Sequence, residues 1–324
     1  MTVEHQALAQ LSAFGKIRSY ADFVHAGPSS RAFTRFNDWL THSVEWAHAR
    51  GGAAFLEAFQ AGSARAFVYR IDQANLPAAF IVGAICPSAD RAGRLFPLSI
   101  GASPILREDF LSEPQLLPFA CEGIWQVTSS LIAEQLSDPS VDLPARLATL
   151  SAQDDLNFEE ARSAYAQWRA AMPLEELWTL ISGTSALESL RMSLRLVAAA
   201  IEPLRKMEAP ETPLSLRFPL GAAGGLSVCF WLDVVRRLIG WRSTVPSFFW
   251  SHEGSSGQLT VCLGAPAAST IAELWHPTDR DEVCDLGVEL SSQAASALPT
   301  LPPNVEQAIT NPTSVAALLG SLDS

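Results

Sequence analysis

The chain has 324 residues, a formal net charge of −12, and a composition that is 48% hydrophobic and 17% charged. That balance allows a substantial buried core and excludes a chain that is disordered throughout. It also excludes a protein that grips a nucleic-acid backbone, which needs a basic face, and a polybasic membrane anchor.

In chain order, residues 13–24, AFGKIRSYADFV, predict a short strand and a turn. Pro28 and Ser29 then suit a helix start, and Gly51-Gly52 its end. Between them Phe33, Phe36, Leu40, Val44 and Ala47 fall on one helical stripe. AFVYRI (66–71) alternates like a strand, whereas AAFIVGAIC (78–86) is apolar without alternation. The latter pattern predicts a strand buried on both faces, hence a sheet covered on both sides. Residues 95–102 predict another strand, and 117–137 a helix with Trp125, Thr128, Ile132 and Leu136 facing inward.

From 139 to 211 no strand signal appears. LNFEEARSAYAQWRAAM, PLEELWTLI and ALESLRMSLRLVAAAIEPL predict helices, the last with a stripe of Leu187, Leu190, Leu194, Val197 and Ile201. This segment is expected to form a separate helical layer at one edge of the sheet. Strand signals return at 214–220, 247–250 and 258–264, with a helix over 225–239. No basic residue follows Arg280, and the Pro, Ser and Ala content from about 290 predicts a flexible acidic tail. The chain thus divides into an N-terminal α/β part (1–138), a helical insertion (139–211), a part completing the α/β domain (212–280) and an acidic tail (281–324).

Signals for catalysis are sparse. The six histidines (5, 25, 42, 48, 252 and 276) form no HExxH and no Cys/His cluster, so no metal is expected. The five cysteines (86, 121, 229, 262 and 284) are scattered without a CxxC, as suits buried thiols in a reducing compartment. The first residues lack a signal-peptide pattern, and no apolar run approaches the ~18 residues of a membrane span; the expectation is a cytoplasmic protein without membrane insertion. GLSVC (225–229) starts like a nucleophile elbow but ends in Cys229, and EGSSG (253–257) reads as a hairpin turn. FPLGAAGGLSVCFWL (218–232) is strand, glycine turn and helix, a geometry that can offer free N–H groups to an anion. Gly221, Gly224 and Gly225 are therefore an alternative nucleotide- or phosphate-binding site, although the P-loop Lys-Ser/Thr is missing. Close helix–sheet packing explains the same glycines.

Three stretches point further: FGKIRSYADFVHAG with the following FNDWL, then PSADRAGRLFPLSI, then SFFWSHEGSSGQLTVCLGAP. In order and spacing they resemble the TagF (ImpM) family, accessory proteins of bacterial type VI secretion. The middle pattern, Asp-Arg, a small residue, Gly-Arg and then Phe-Pro-Leu, is complete. The first keeps Gly15, Lys16, Asp22, Phe23 and Val24, with Arg18 in place of the family's Pro and Ala21 in place of its Gly. The resemblance implies a three-layer α/β/α sandwich around a mixed sheet, no enzymatic activity and no cofactor. It also implies post-translational repression of secretion through a cytoplasmic component such as the forkhead-associated scaffold protein; nucleic acid is not an expected partner. Lys16, Asp22, Arg91 and Arg94 are candidate partner-binding residues. Gly15, Phe23, Trp39, Asp90, Gly93, Phe96 and Pro97 are candidate structural residues of the motifs. Asp90 and Gly93 suit a turn. Arg91 or Arg94 either pairs with Asp22 to clamp two loops, or engages acidic or phosphorylated groups on a partner.

Overall fold

A computed structural model of the chain describes residues 8–73, 76–104, 108–153, 158–205, 213–240, 245–251, 257–276, 283–285 and 298–323. Strands β1 (Leu8–Gly15) and β2 (Val24–Ala26) precede the long helix α1 (Arg31–Gln60). The hairpin β3 (Arg65–Gln73) and β4 (Leu76–Cys86) leads to β5 (Leu98–Ala102). Helices α2 (Glu108–Ser112), α3 (Leu117–Ala120), α4 (Glu122–Ser137) and α5 (Leu143–Thr149) follow, then β6 (Ser151–Gln153). Three more helices, α6 (Phe158–Ala171), α7 (Leu174–Ser182) and α8 (Leu187–Ile201), precede β7 (Leu214–Pro219) and α9 (Gly225–Ile239). The chain continues through β8 (Ser247–Trp250), β9 (Gln258–Leu263), α10 (Thr270–Trp275) and β10 (Val283–Asp285) to α11 (Pro303–Thr310) and α12 (Val315–Ser321).

The strands form one ten-stranded sheet in the order β10-β7-β9-β8-β3-β4-β5-β1-β2, with β6 also paired to β1. Each pairing is antiparallel except that of β10 with β7. Alternate residues of a strand point to opposite faces. Phe67 and Tyr69 of β3, Ile81 and Ile85 of β4, and Phe249 of β8 meet α1 and α10 in one hydrophobic cluster. Val68, Phe80, Val82, Ala84 and Phe248 belong to a second cluster with α4, α6, α7, α8, α9, α11 and α12. Strand β4 therefore buries side chains on both faces, the physical reason for its unalternating sequence.

Four expectations need correction. Helix α1 does not stop at Gly51-Gly52; it bends at Gly52 (φ 51°, ψ −133°) and runs on to Gln60. Only glycine adopts that backbone conformation readily, so the pair marks a kink rather than an end. Leu136, expected inward, is 38% exposed, and its neighbour Gln135 is buried instead. The insertion contains a strand, β6, paired with β1, and its helices share the larger core cluster instead of lying apart at an edge. The end of the chain is not a free tail over 298–323: Val305, Ile309, Val315, Leu318 and Leu319 are all fully or nearly fully buried. The Val315 N–H also donates to the Met172 carbonyl at 3.0 Å, fastening α12 to the end of α6. Residues 286–297 lie outside the described part.

Candidate functional site

The loop between β4 and β5 is organised by Asp90. Its turn is closed by the Asp90 N–H donating to the Arg94 carbonyl (3.1 Å) and the Gly93 N–H donating to the Asp90 carbonyl (2.9 Å). Gly93 has φ 81°, as a left-handed turn position requires. The Asp90 carboxylate accepts from the N–H groups of Ala92 and Arg94 through Oδ1, each at 2.9 Å. Its Oδ2 lies 2.7 Å from Arg94 Nε and 3.2 Å from Lys16 Nζ. Burial alone would raise the pKa of such a carboxyl; the Arg94 N–H, Lys16 and the Arg94 guanidinium outweigh it and lower the pKa to about 2.

The motifs converge on this point. Gly15 brings the end of β1 so close to the Pro97 carbonyl that a Cβ would collide with it. The rings of Phe14 and Phe23 stack at 5.4 Å, and Phe96 meets Phe23 edge-on at 4.8 Å. Lys16 Nζ sits 5.0 Å from the centre of the Phe23 ring. The Arg91 N–H donates to the Tyr20 carbonyl at 2.8 Å, and Arg94 Nη2 donates to the Ala21 carbonyl. Trp39 stands apart: its Nε1 donates to the Pro266 carbonyl at 3.0 Å, tying α1 to the end of the third motif.

Residues 12–152 match the family described as TagF N-terminal domain, Type VI secretion system-associated. They form a TagF N-terminal domain. No curated protein matches the chain. The crystal structure of PA0076 from Pseudomonas aeruginosa PAO1 is similar at 16% identity and a TM-score of 0.45, with 90% of this chain and 100% of that one covered.

The TagF N-terminal domain divides the four candidate partner-binding residues. Lys16, expected to face a partner, is 7% exposed and spent on Asp90, so it is internal. The expected clamp between Asp22 and an arginine is not formed: Arg94 pairs with Asp90 of its own turn, while Asp22 lies exposed and accepts from the N–H of Phe23 at 2.8 Å. The two loops are joined instead by Lys16 on Asp90 and by Arg94 Nη2 on the Ala21 carbonyl. Asp90 was the nearer counter-ion because its carboxylate already points into the turn that carries Arg94. Arg94 keeps 58% of its side chain exposed. Arg91 is exposed, and neither it nor Arg18 forms an ion pair among the described residues. Two surface hollows of the domain flank the loop. One of about 530 Å³ is lined by Arg18, Arg91 and Leu136, among others. The other, of about 860 Å³, lies along α1 on both sides of its kink, with Leu56 and Phe96 in its lining.

The glycine turn lies outside the TagF N-terminal domain and reads as packing. A Cβ on Gly221 would collide with the Leu180 carbonyl of α7. Gly225 faces a cavity of about 460 Å³ that also includes Trp125, Trp250 and Glu122, and no Lys or Arg among the described residues lines it. A carboxylate and aromatic rings are a poor setting for phosphate.

Two buried ionic clusters escaped the sequence reading. Asp233 of α9, with a fully buried side chain, lies 2.9 Å from Arg236 Nη2 and 2.7 Å from Arg237 Nε. It also accepts from the Tyr165 hydroxyl at 2.9 Å, and Arg237 pairs onward with Asp323. Burial first, and then the Asp233 charge, push the Tyr165 pKa well above its usual value, so that hydroxyl remains a donor. Arg217 of β7 pairs with Glu273 of α10, both buried. The only available signal was a charge interrupting an apolar run, as Asp233 does in LSVCFWLDVV.

Proposed function

We propose that the chain is a non-enzymatic accessory regulator of type VI secretion. In this reading it acts in the cytoplasm after translation, and represses assembly by binding a component such as the forkhead-associated scaffold protein. The match of residues 12–152 to a type VI secretion-associated domain carries the reading. The exposed Arg91 and half-exposed Arg94 support it, because they suit acidic or phosphorylated groups on a partner. The helices on both faces of the sheet are read as the layers of the α/β/α sandwich that the resemblance implies. The test is direct binding of the purified forkhead-associated protein to the full chain, alongside affinity purification from the native host. Association in both is expected. Thermal stabilisation by nucleotide or phosphate, with no protein partner in either assay, would favour the glycine-turn alternative instead.

A further inference from the structure

The two hollows beside the Asp90 loop are continuous in their lining: Phe59, Gln60, Gly93 and Leu95 belong to both. Three independent features make this groove unlike the rest of the surface. Tyr20 (41%) and Leu136 (38%) are the exposed large hydrophobic side chains among the described residues. Leu136 lines the groove, and the Tyr20 carbonyl holds the Arg91 N–H at its margin. Leu136 thus places an exposed apolar side chain in the lining of a hollow, where it is available to a contact surface. Second, Arg18 and Arg91 line the same end of the groove with no carboxylate paired to either among the described residues. The carboxylate that lines it among the described residues, Asp90, is buried and saturated by Lys16, Arg94 and two backbone N–H groups. The second hollow carries Glu45 and Glu57 beside Arg94, so the surplus of cations is confined to the Arg18–Arg91 end, where in a chain of net charge −12 it is complementary to an anion. Third, the loop is rigidly held, so a partner would not have to order it.

We propose that the groove receives an amphipathic segment of a protein partner, its carboxylates set between Arg18 and Arg91. The apolar stripe of that segment lies along Leu136 and Leu95 and enters the second hollow over Leu56. The far wall is α1 on both sides of the kink at Gly52, from Thr41 to Gln60. This rests on the proposed role as a protein-binding regulator and names the surface and the chemistry of the bound segment.

The test uses the full chain and overlapping peptides covering each cytoplasmic component of the host's type VI secretion system. Bound peptides are expected to combine an apolar stripe with acidic residues at one end. Arg18→Glu with Arg91→Glu, and separately Leu136→Asp, should each weaken them about tenfold, the loss typical of a central contact residue. These side chains are exposed, so melting temperatures should stay at the wild-type value. Glu175→Lys with Glu176→Lys, on the solvent side of α7, should change nothing. An absence of bound peptides, or bound peptides indifferent to the groove variants, overturns the proposal. A full-length component that binds wild type and groove variants alike overturns the groove while leaving the regulatory reading standing. Groove-dependent peptides from a component other than the forkhead-associated protein support the groove and reject only that choice of partner.

Discussion

Asp90 is the residue on which the most motif positions depend. Its carboxylate holds the turn, neutralises Lys16 and fixes the base of Arg94, so its removal strands a buried lysine. Its pKa is lowered from the ordinary value of 3.8 to about 2. The stabilisation it supplies is therefore complete above about pH 3.8 and is lost as pH falls through about 2. Asp90→Asn should melt below wild type at neutral pH, and the gap should close between about pH 4 and pH 2. A gap that stays constant across that range would show that the charge is irrelevant. Lys16 and Arg94 should differ in weight, because their side chains are 9% and 58% exposed. Water screens the exposed pair. Lys16→Met should then lower the melting temperature more than Arg94→Ala does; the reverse order would place the dominant interaction on the surface. The turn itself was legible in DRAGR, since Asp and Gly are the residues a tight turn uses. The ion pair was not. Asp22 and Asp90 are equally plausible partners for an arginine on paper, and only the direction of the Asp90 side chain decides between them.

Elements built from apolar stripes were read well, as α8 shows: of its predicted stripe Leu190, Leu194, Val197 and Ile201 are buried and Leu187, at the helix start, is half-buried. Helices α11 and α12 carry the same kind of signal, with Val305 four residues from Ile309 and Val315 three from Leu318. The acidic, proline-containing composition around them concealed it. Their burial has a consequence. Truncation after residue 297 removes Leu301, Val305, Ile309, Val315, Leu318, Leu319 and Leu322 from the core and breaks the Arg237–Asp323 pair. The shortened protein should be insoluble or molten, and near-ultraviolet circular dichroism that still reports native packing would contradict this placement. Deleting 139–211 should fail for the same reason, since α6 supplies Tyr165 to the buried Asp233. Asp233→Ala leaves Arg237 buried without its main partner and should cost about 3–5 kcal/mol in chemical denaturation. A loss below about 1 kcal/mol would mean that the cluster behaves as a surface network.

At the scale of the molecule, the parts predicted as separate units share one sheet and two continuous cores. Local periodicity reports each strand and helix but not which long-range partner covers it, so the insertion and the tail looked detachable. The candidate surface was legible as a motif and illegible as a shape. Nothing local announces that Leu136 turns outward to join Arg18 and Arg91 in one hollow. The proposed role assigns the regulation of type VI secretion to this surface of residues 12–152. Secretion output from the native host measures it most directly, with the wild-type chain or the Arg18→Glu, Arg91→Glu variant overproduced at equal levels. Wild type is expected to suppress secretion, and the variant, equally stable, is expected not to. Equal suppression by both would contradict that role.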